Sequence, residues 1–344
     1  MPRHRTPARA PLAEATRWIT PLAAAHADAL VPQIMQRNAC SRRSAQRLVA
    51  GLVAARWLDR GGSARRPVYR PGPLRQLVQV LPLQGLQEDL PWAREVAPLF
   101  ELPPVVARLA QHAYTELLNN AIDHSGGSQA TVSVRRTATH LQLLVSDDGC
   151  GVFDRIASAH AIEDPAAAML ELAKGKLSSW PARHTGQGLF FVARLGDVFE
   201  LHANRHGFQR RSWDGGGWHA GRPLPHAGTS VFVAIALDTR RTLEDVLATY
   251  SASGRGRDFA RTEVPLRLLT GAGSALASRA QARRAWARLA GFGHATLDFG
   301  GIAEVGPAFA DELLRVMPAA HPGVGLATAG VTPRVRAMLD AVAD

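Results

Sequence analysis

The chain has 344 residues, of which 46% are apolar and 20% charged, a composition typical of globular proteins with room for two or three domains. No apolar run is long enough to span a bilayer, and the basic N-terminus lacks the apolar core of a signal peptide. Cys40 and Cys150 form neither a CxxC nor a zinc pattern. These features exclude membrane-spanning and zinc-finger classes and predict a cytoplasmic protein.

The net charge of +11 is concentrated at one end of the chain. Residues 1–75 hold 14 Arg and no Lys against Glu14, Asp28 and Asp59, whereas basic and acidic residues balance over 76–344. A basic head on a neutral body predicts a polyanionic partner for the head alone.

Within this head, apolar periodicity between Leu22 and Met35 predicts helices. A further helix is expected to begin at a Ser41 cap, with its apolar residues on one face. The segment GGSARR (61–66) lies between Trp57-Leu58 and Val68-Tyr69 and predicts a short hairpin.

This order of helix, turn, basic helix and basic hairpin resembles a winged helix-turn-helix domain over residues 1–75. The resemblance implies binding of double-stranded DNA, and a structural or protein-binding winged helix is the alternative. The candidate DNA-binding residues are Arg42, Arg43, Arg47, Arg65 and Arg66.

Residues 76–240 form a middle segment of mixed α/β pattern. A helix is predicted from about 105 to 123, and strands at 131–136, 141–147 and 229–237, with glycine-rich loops between them. There is no P-loop, because Gly175-Lys176 is followed by Leu177, and no GxGxxG follows a strand.

The stretch TELLNNAIDHSGG (115–127) places Glu116 and Asn120 four residues apart on one face of the predicted helix. A carboxylate one turn from an amide oxygen can hold Mg²⁺ and a polarised water. Glu116 can instead serve as a general base toward an attacking nucleophile.

Two glycine-rich segments follow. VSDDGCGVF (145–153) brings a strand into Asp147-x-Gly149-x-Gly151, where an aspartate can accept a hydrogen bond from the exocyclic amine of adenine and glycines allow close approach. HTGQGLFFVARL (184–195) opens an apolar helix at Gly186-x-Gly188, a pattern that presents backbone N–H groups to phosphate.

In this order and spacing, the segments and Gly228-Thr229-Ser230 resemble the GHKL superfamily, whose members include gyrase B subunits, MutL-type repair proteins, histidine kinases and anti-sigma serine kinases. The resemblance spans about 105–237 and implies an ATP and Mg²⁺ site. It makes Glu116 the general base, Asn120 the magnesium ligand, Asp147 the adenine acceptor and Thr229 the residue that closes the adenine pocket. The remaining nucleotide contacts that it implies are Gly149, Gly151, Thr185, Gly186, Gln187, Gly188 and Leu189.

The segment between the two glycine boxes contains Lys174 and Lys176, the only lysines in a chain with 38 arginines. Arginine fills nearly every other basic position, so this pair of lysines indicates that a compact ammonium group is required here. Lys174, Lys176, Arg183 and His184 are therefore expected to contact the phosphates. A solvated helix is the alternative.

Residues 255–344 alternate predicted strands and helices, with a strand expected at VPLRLL (264–269), which indicates a small α/β layer. With the middle segment, they resemble a bacterial family that joins a GHKL domain to a STAS-like domain. STAS partners of anti-sigma kinases carry a phospho-acceptor serine, but Pro307 and Ala308 stand at that turn here. We therefore expect no phosphorylation at 304–309, and expect Ser278 to cap the 278–290 helix.

The sequence thus predicts an α/β (α+β) protein made of a winged helix, a GHKL α/β sandwich and a STAS-like domain. Three functions stay open: an ATP-controlled DNA-binding regulator with slow hydrolysis, an anti-sigma-type serine/threonine kinase, and a non-hydrolysing interaction module. The basic head favours the first over the second, and Glu116 favours turnover over the third. Homodimer formation is also open.

Overall fold

The computed structural model describes residues 12–177, 186–214, 217–254, 258–270, 273 and 275–343. Helices and strands are mixed along these ranges, which confirms the predicted α/β class. No helix within them is both long and apolar enough to cross a bilayer.

The head begins with four helices and a hairpin. They are α1 (Leu12–Ala15), α2 (Ile19–Ala25), α3 (Leu30–Asn38), α4 (Arg42–Ala54), β1 (Leu58–Gly62) and β2 (Pro67–Pro71). The Ser41 side chain accepts the Ser44 N–H and caps α4, as predicted, and Ala45, Val49 and Leu52 of α4 are buried. The two strands pair antiparallel at the predicted position.

The middle segment contains a seven-stranded antiparallel sheet with strand order β3-β4-β5-β9-β6-β7-β8. Its strands are β3 (Arg75–Pro82), β4 (Gln129–Arg136), β5 (His140–Asp147), β6 (Val198–Ala203), β7 (His206–Arg211), β8 (Trp218–Ala220) and β9 (Thr229–Ala236). Its helices are α5 (Asp89–Pro91), which continues through a π-helical stretch Trp92–Val96 into α6 (Ala97–Phe100), then α7 (Pro104–His124), α8 (Val152–His160), α9 (Pro165–Lys174), α10 (Gly188–Leu195) and α11 (Leu243–Thr249).

Burial alternates along β5, where Leu141, Leu143, Val145 and Asp147 face the interior. This period-two pattern places one face of the sheet under the helices, and α7 packs there through its own apolar face. The carboxyl end of β5 therefore lies beneath the helix that carries Glu116 and Asn120.

The head contacts this sheet at its first two strands, β3 and β4. The Thr20 hydroxyl accepts the backbone N–H of Gln76 at 3.0 Å, and the Arg135 guanidinium lies 5.6 Å from the centre of the Trp57 ring. The apolar core of the head is nonetheless a separate cluster from that of the sheet.

The tail is built on a three-stranded parallel sheet with order β10-β12-β14. These strands are β10 (Arg261–Pro265), β12 (His294–Asp298) and β14 (Gly325–Ala329). Two further short strands, β11 (Ala275–Leu276) and β13 (Glu304–Val305), pair in parallel with each other. Its helices are α12 (Arg279–Trp286), α13 (Pro307–Asp311), which continues through a π-helical stretch Glu312–Val316 into α14 (Met317–Ala320), and α15 (Pro333–Ala343), with 3₁₀ turns at Leu266–Leu269 and Leu289–Gly291.

The tail confirms the predicted Ser278 cap, which forms a reciprocal capping box with Gln281. It corrects the strand expected at 264–269: β10 ends at Pro265, which lacks a backbone N–H, and a 3₁₀ turn follows. Buried side chains of the tail and of the large sheet form one continuous apolar core, so the two segments are packed together rather than connected by a free linker.

Candidate nucleotide site

A cavity lies between α7, the ends of β5 and β9, and the helices α8, α9 and α10. Glu116 and Asn120 from α7 line it, together with Asp147, Gly151 and Thr229. Residues 186–189, at the start of α10, complete the wall beside Glu116. Apart from Gly149, the lysines and the residues outside the described ranges, the predicted nucleotide contacts thus lie around one cavity.

Asp147 is held at one end of this cavity by backbone amides. Its Oδ1 accepts the N–H of Gly149 at 2.9 Å and the N–H of Thr229 at 3.1 Å. No described residue bonds its other carboxylate oxygen, which leaves an acceptor for a donor such as an exocyclic amine. Burial raises the pKa of this carboxyl above its usual value, although the two amide hydrogen bonds lower it.

Gly149 supports Asp147 without lining the cavity. A side chain at Gly149 would collide with the backbone of Ser125, at the end of α7. The glycine is therefore required for the close approach of the β5 end to α7, which is a structural role rather than the predicted direct contact.

Gly151 has a φ of 85°, and a Cβ there would meet the side chain of Asn204. Asn204 Oδ1 accepts the N–H groups of Phe153 and Asp154, and its Nδ2 donates to the Cys150 carbonyl. Asn204, which lies between β6 and β7, thereby fixes the turn from the first glycine box into α8. Sequence reasoning missed it, because it is distant in the chain and belongs to no motif.

Glu116 and Asn120 line the cavity nine and five residues before Ser125, against which Gly149 packs, so the rise of α7 separates them from the Asp147 end. A Cβ on Gly188 would meet the Glu116 carboxylate, so the start of α10 lies close against this side chain. Asn120 Nδ2 is buried without a hydrogen-bond partner among the described residues, so the carboxamide has bonding capacity left for a ligand. His112 lies one turn before Glu116, and burial lowers its pKa although the Glu116 charge raises it.

The side chains at this end fit Mg²⁺. Glu116 and Asn120 supply hard oxygen atoms on one helix face, and Mg²⁺ usually takes only one or two protein groups and shares the rest with phosphates and water. No group of three or more His, Cys, Asp or Glu side chains is arranged to hold a metal in the described ranges.

The structure corrects the expectation that the two lysines contact phosphate. Lys174 is only 1% exposed, and its Nζ donates to Glu171 Oε1 at 2.6 Å and to the carbonyls of Arg284 and Ala287 at 3.0 and 2.9 Å. These three acceptors occupy the three N–H bonds of the ammonium group.

Lys176 is likewise directed away from the cavity. Its Nζ donates to the Gly291 carbonyl at 2.6 Å and lies 4.2 Å from the centre of the Phe292 ring. Burial lowers the pKa of both lysines. The two lysines therefore bind the tail rather than a ligand.

Arg183, His184 and Thr185 lie outside the described residues. A cation that sequence reasoning missed, Arg155 of α8, lines the cavity with an exposed side chain. The available signal was a basic residue four positions after Gly151, in the amphipathic helix that the glycine box opens.

The five arginines predicted to bind DNA are all exposed. Arg42, Arg43 and Arg47 lie on the solvent side of α4, and Arg65 and Arg66 lie between β1 and β2. None of them forms a salt bridge with a carboxylate in the part of the chain that the structure describes.

Residues 105–238 match the family model of the histidine kinase-, DNA gyrase B- and HSP90-like ATPases. The match runs from the first turn of α7 past the end of β9 and contains all the residues that line the cavity, including Glu116, Asp147 and Thr229. The chain thus carries a GHKL-type ATPase domain, a type that binds ATP, while the head and tail lie outside the matched range. A search of curated proteins found no match.

Proposed function

We propose that this protein is an ATP-controlled DNA-binding regulator that binds ATP with Mg²⁺ and hydrolyses it slowly. The observation that carries the proposal is the two-ended cavity in the ATPase domain. At one end is the amide-fixed carboxylate of Asp147, and at the other are Glu116 and Asn120 on one face of α7.

Adenine would bind at the Asp147 end. The free carboxylate oxygen accepts the exocyclic amine, and apolar side chains such as Val145, Ile156 and Val231 form the walls. A buried polar group that is satisfied only by the correct ligand provides discrimination among bases.

The phosphates would then extend toward α10 and Glu116. The backbone N–H groups at the start of α10 and the Arg155 guanidinium favour negative charge there. Bound Mg²⁺ would neutralise charge on the phosphates. Asn120 would hold the ion, and Glu116 would orient a water molecule and remove its proton.

The head would bind double-stranded DNA. Its exposed arginines are distributed over α4 and the β1–β2 loop, which suits a helix in the major groove with a basic loop against the backbone. Phosphate contacts of this kind supply affinity that depends on salt.

The test is to incubate the purified full-length chain with labelled ATP and Mg²⁺ and to separate free phosphate from phosphoprotein. Slow release of free phosphate, with no labelled protein, supports the proposal. Label on this chain or on an added protein would favour an anti-sigma-type kinase instead. Tight ATP binding without either product would indicate a non-hydrolysing module.

A further inference from the structure

The tail contacts both helices that form the Glu116 end of the cavity. Leu172 of α9 and Leu177, just beyond it, line the cavity, and so does Gly188 at the start of α10. Each of these helices is also bonded to the tail through a buried polar side chain.

The α9 contact involves Lys174 and Thr262. Besides the bonds from Lys174 Nζ to the carbonyls of Arg284 and Ala287, the hydroxyl of Thr262 in β10 donates to the Lys174 carbonyl at 2.6 Å. Thr262 is 2% exposed. The last turn of α9 is thus bonded to the tail by its side chain and its backbone.

The α10 contact is centred on the buried Arg194. Its Nε donates to the Tyr250 hydroxyl at 2.8 Å, and one terminal nitrogen donates to Glu263 Oε2 at 2.9 Å and to the Ala173 carbonyl at 3.4 Å. Tyr250 in turn donates to Glu263 Oε1 at 2.9 Å. The arginine therefore joins α10 to α9 and to β10 of the tail, with its charge matched by Glu263.

The Asp147 end is supported differently. Its two amide partners, Gly149 and Thr229, belong to the ATPase domain, and the β5–β9 pairing ends beside them. Among the described residues, the tail bonds to the helices at the Glu116 end, whereas both amide partners of Asp147 lie outside the tail.

We infer that the tail is a positioning element for the phosphate end of the nucleotide site. Its positioning residues are Thr262 in β10 and Tyr250, which precedes the tail and bonds its Glu263. This inference rests on the proposed ATP binding. Hydrogen bonds with the tail hold Lys174 in the last turn of α9 and Arg194 in α10. These bonds fix the position of both helices, and so set the distance between residues 186–189 and Glu116. Because such coupling is reciprocal, an event that loosens the tail would lower ATP affinity, and ATP would tighten the tail.

Two mild variants of the full-length chain test this. Thr262→Val removes the hydroxyl at the α9 contact with little change of shape, and Tyr250→Phe removes the hydroxyl at the α10 contact. Calorimetry gives the Kd for Mg-ATP, which would occupy both ends of the cavity, and the Kd for adenosine, which would occupy the Asp147 end alone. Each variant should raise the Kd for Mg-ATP about two- to tenfold, the range for one lost hydrogen bond, and leave the Kd for adenosine unchanged.

Arg315→Gln is the control, because it removes an exposed ion pair with Asp311 that lies inside the tail and bonds neither α9 nor α10. It should change neither Kd. Thermal unfolding identifies any variant that is not folded at the temperature of the binding measurement, and the other variant then carries the test.

Equal losses for Mg-ATP and adenosine, or no loss for either, would overturn the positioning role. Wild-type protein that binds adenosine but gains nothing from the phosphates would also overturn it. Wild-type protein that binds neither ligand would refute the proposed function itself, and the inference with it.

Discussion

Thr229, the first residue of β9, donates its backbone N–H to Oδ1 of Asp147, the last residue of β5, over 3.1 Å. Gly228 precedes it with a φ of 84°, and a Cβ there would collide with the Asp147 backbone. The predicted pocket-closing residue therefore acts through its amide on the predicted adenine acceptor, and the two form one unit.

Asp147→Asn should weaken ATP binding by about 1–3 kcal/mol and keep the fold. Asn can still accept the amides of Gly149 and Thr229, but its NH₂ would face the donor amine of adenine. Its thermal stability should equal or exceed that of the wild type, because a desolvated charge is removed. Unchanged affinity by calorimetry in the folded variant would contradict the assignment.

Adenosine affinity should depend on pH through the same carboxyl. Burial raises the pKa of Asp147, and only its ionised form offers an acceptor in place of a proton. Affinity should therefore be full above the raised pKa and fall as the pH is lowered through it. Adenosine serves as probe because it has no phosphate to titrate.

Folding stability follows the opposite sign. Because the folded protein binds this proton more tightly than the unfolded chain does, the contribution of Asp147 becomes more favourable as the pH falls through its raised pKa. Asp147→Asn should bind adenosine weakly, and its affinity should not change with pH in the range where the wild-type affinity does. A wild-type profile that persists in the variant would place the titrating group elsewhere.

The parts of the site that the sequence predicted are those encoded locally. The i, i+4 spacing of Glu116 and Asn120 places both on one side of α7, and the glycine boxes predict turns with positive φ, which Gly151 and Gly186 adopt. The strands of the sheet were predicted only where apolar residues alternate clearly, as in β5. Strands β3, β6, β7 and β8 carry a weaker pattern and were missed.

What could not be predicted depends on contacts between distant residues. The two closely spaced lysines indicate that an ammonium group is required in this segment. Only the fold shows that Lys174 bonds carbonyls 110 and 113 positions away. A buried ammonium with three acceptors and an ammonium that binds phosphate are indistinguishable in sequence. The position of Asn204 behind Gly151 is nonlocal in the same way.

Glu116→Gln should retain ATP binding and lose turnover. A general base contributes roughly 10²–10⁴ in rate, so the loss should be clear in a phosphate-release assay. Asn120→Ala should instead weaken the dependence of ATP binding on Mg²⁺. Wild-type turnover in the Glu116 variant would mean that another group activates the nucleophile.

Arg155→Gln should weaken binding of ATP more than that of adenosine. Its exposed guanidinium lines the cavity, where it can contact phosphate but has no charge to pair with on the base. Exposure makes the effect dependent on salt, so the difference between the two ligands should shrink at high ionic strength. Calorimetry at two salt concentrations measures this, and equal losses for both ligands would indicate a structural role for the residue.

The full-length chain should bind double-stranded DNA with an affinity that falls steeply as salt rises. Arg43→Gln/Arg47→Gln removes two exposed charges from α4, and should lower the magnitude of the slope of log K against log salt by about 2 if both contact phosphate. The control is Arg315→Gln/Arg334→Gln, which removes the same charge from exposed positions on the tail. Because the net charge of the two double variants is identical, a difference between them shows that the position of the removed arginines matters, and not only the overall charge.

If both double variants bind like the wild type, or neither the wild type nor the variants bind at low salt, the head is not a DNA-binding domain. A slope that falls equally in both would mean that DNA is attracted by the general charge of the protein and not by α4.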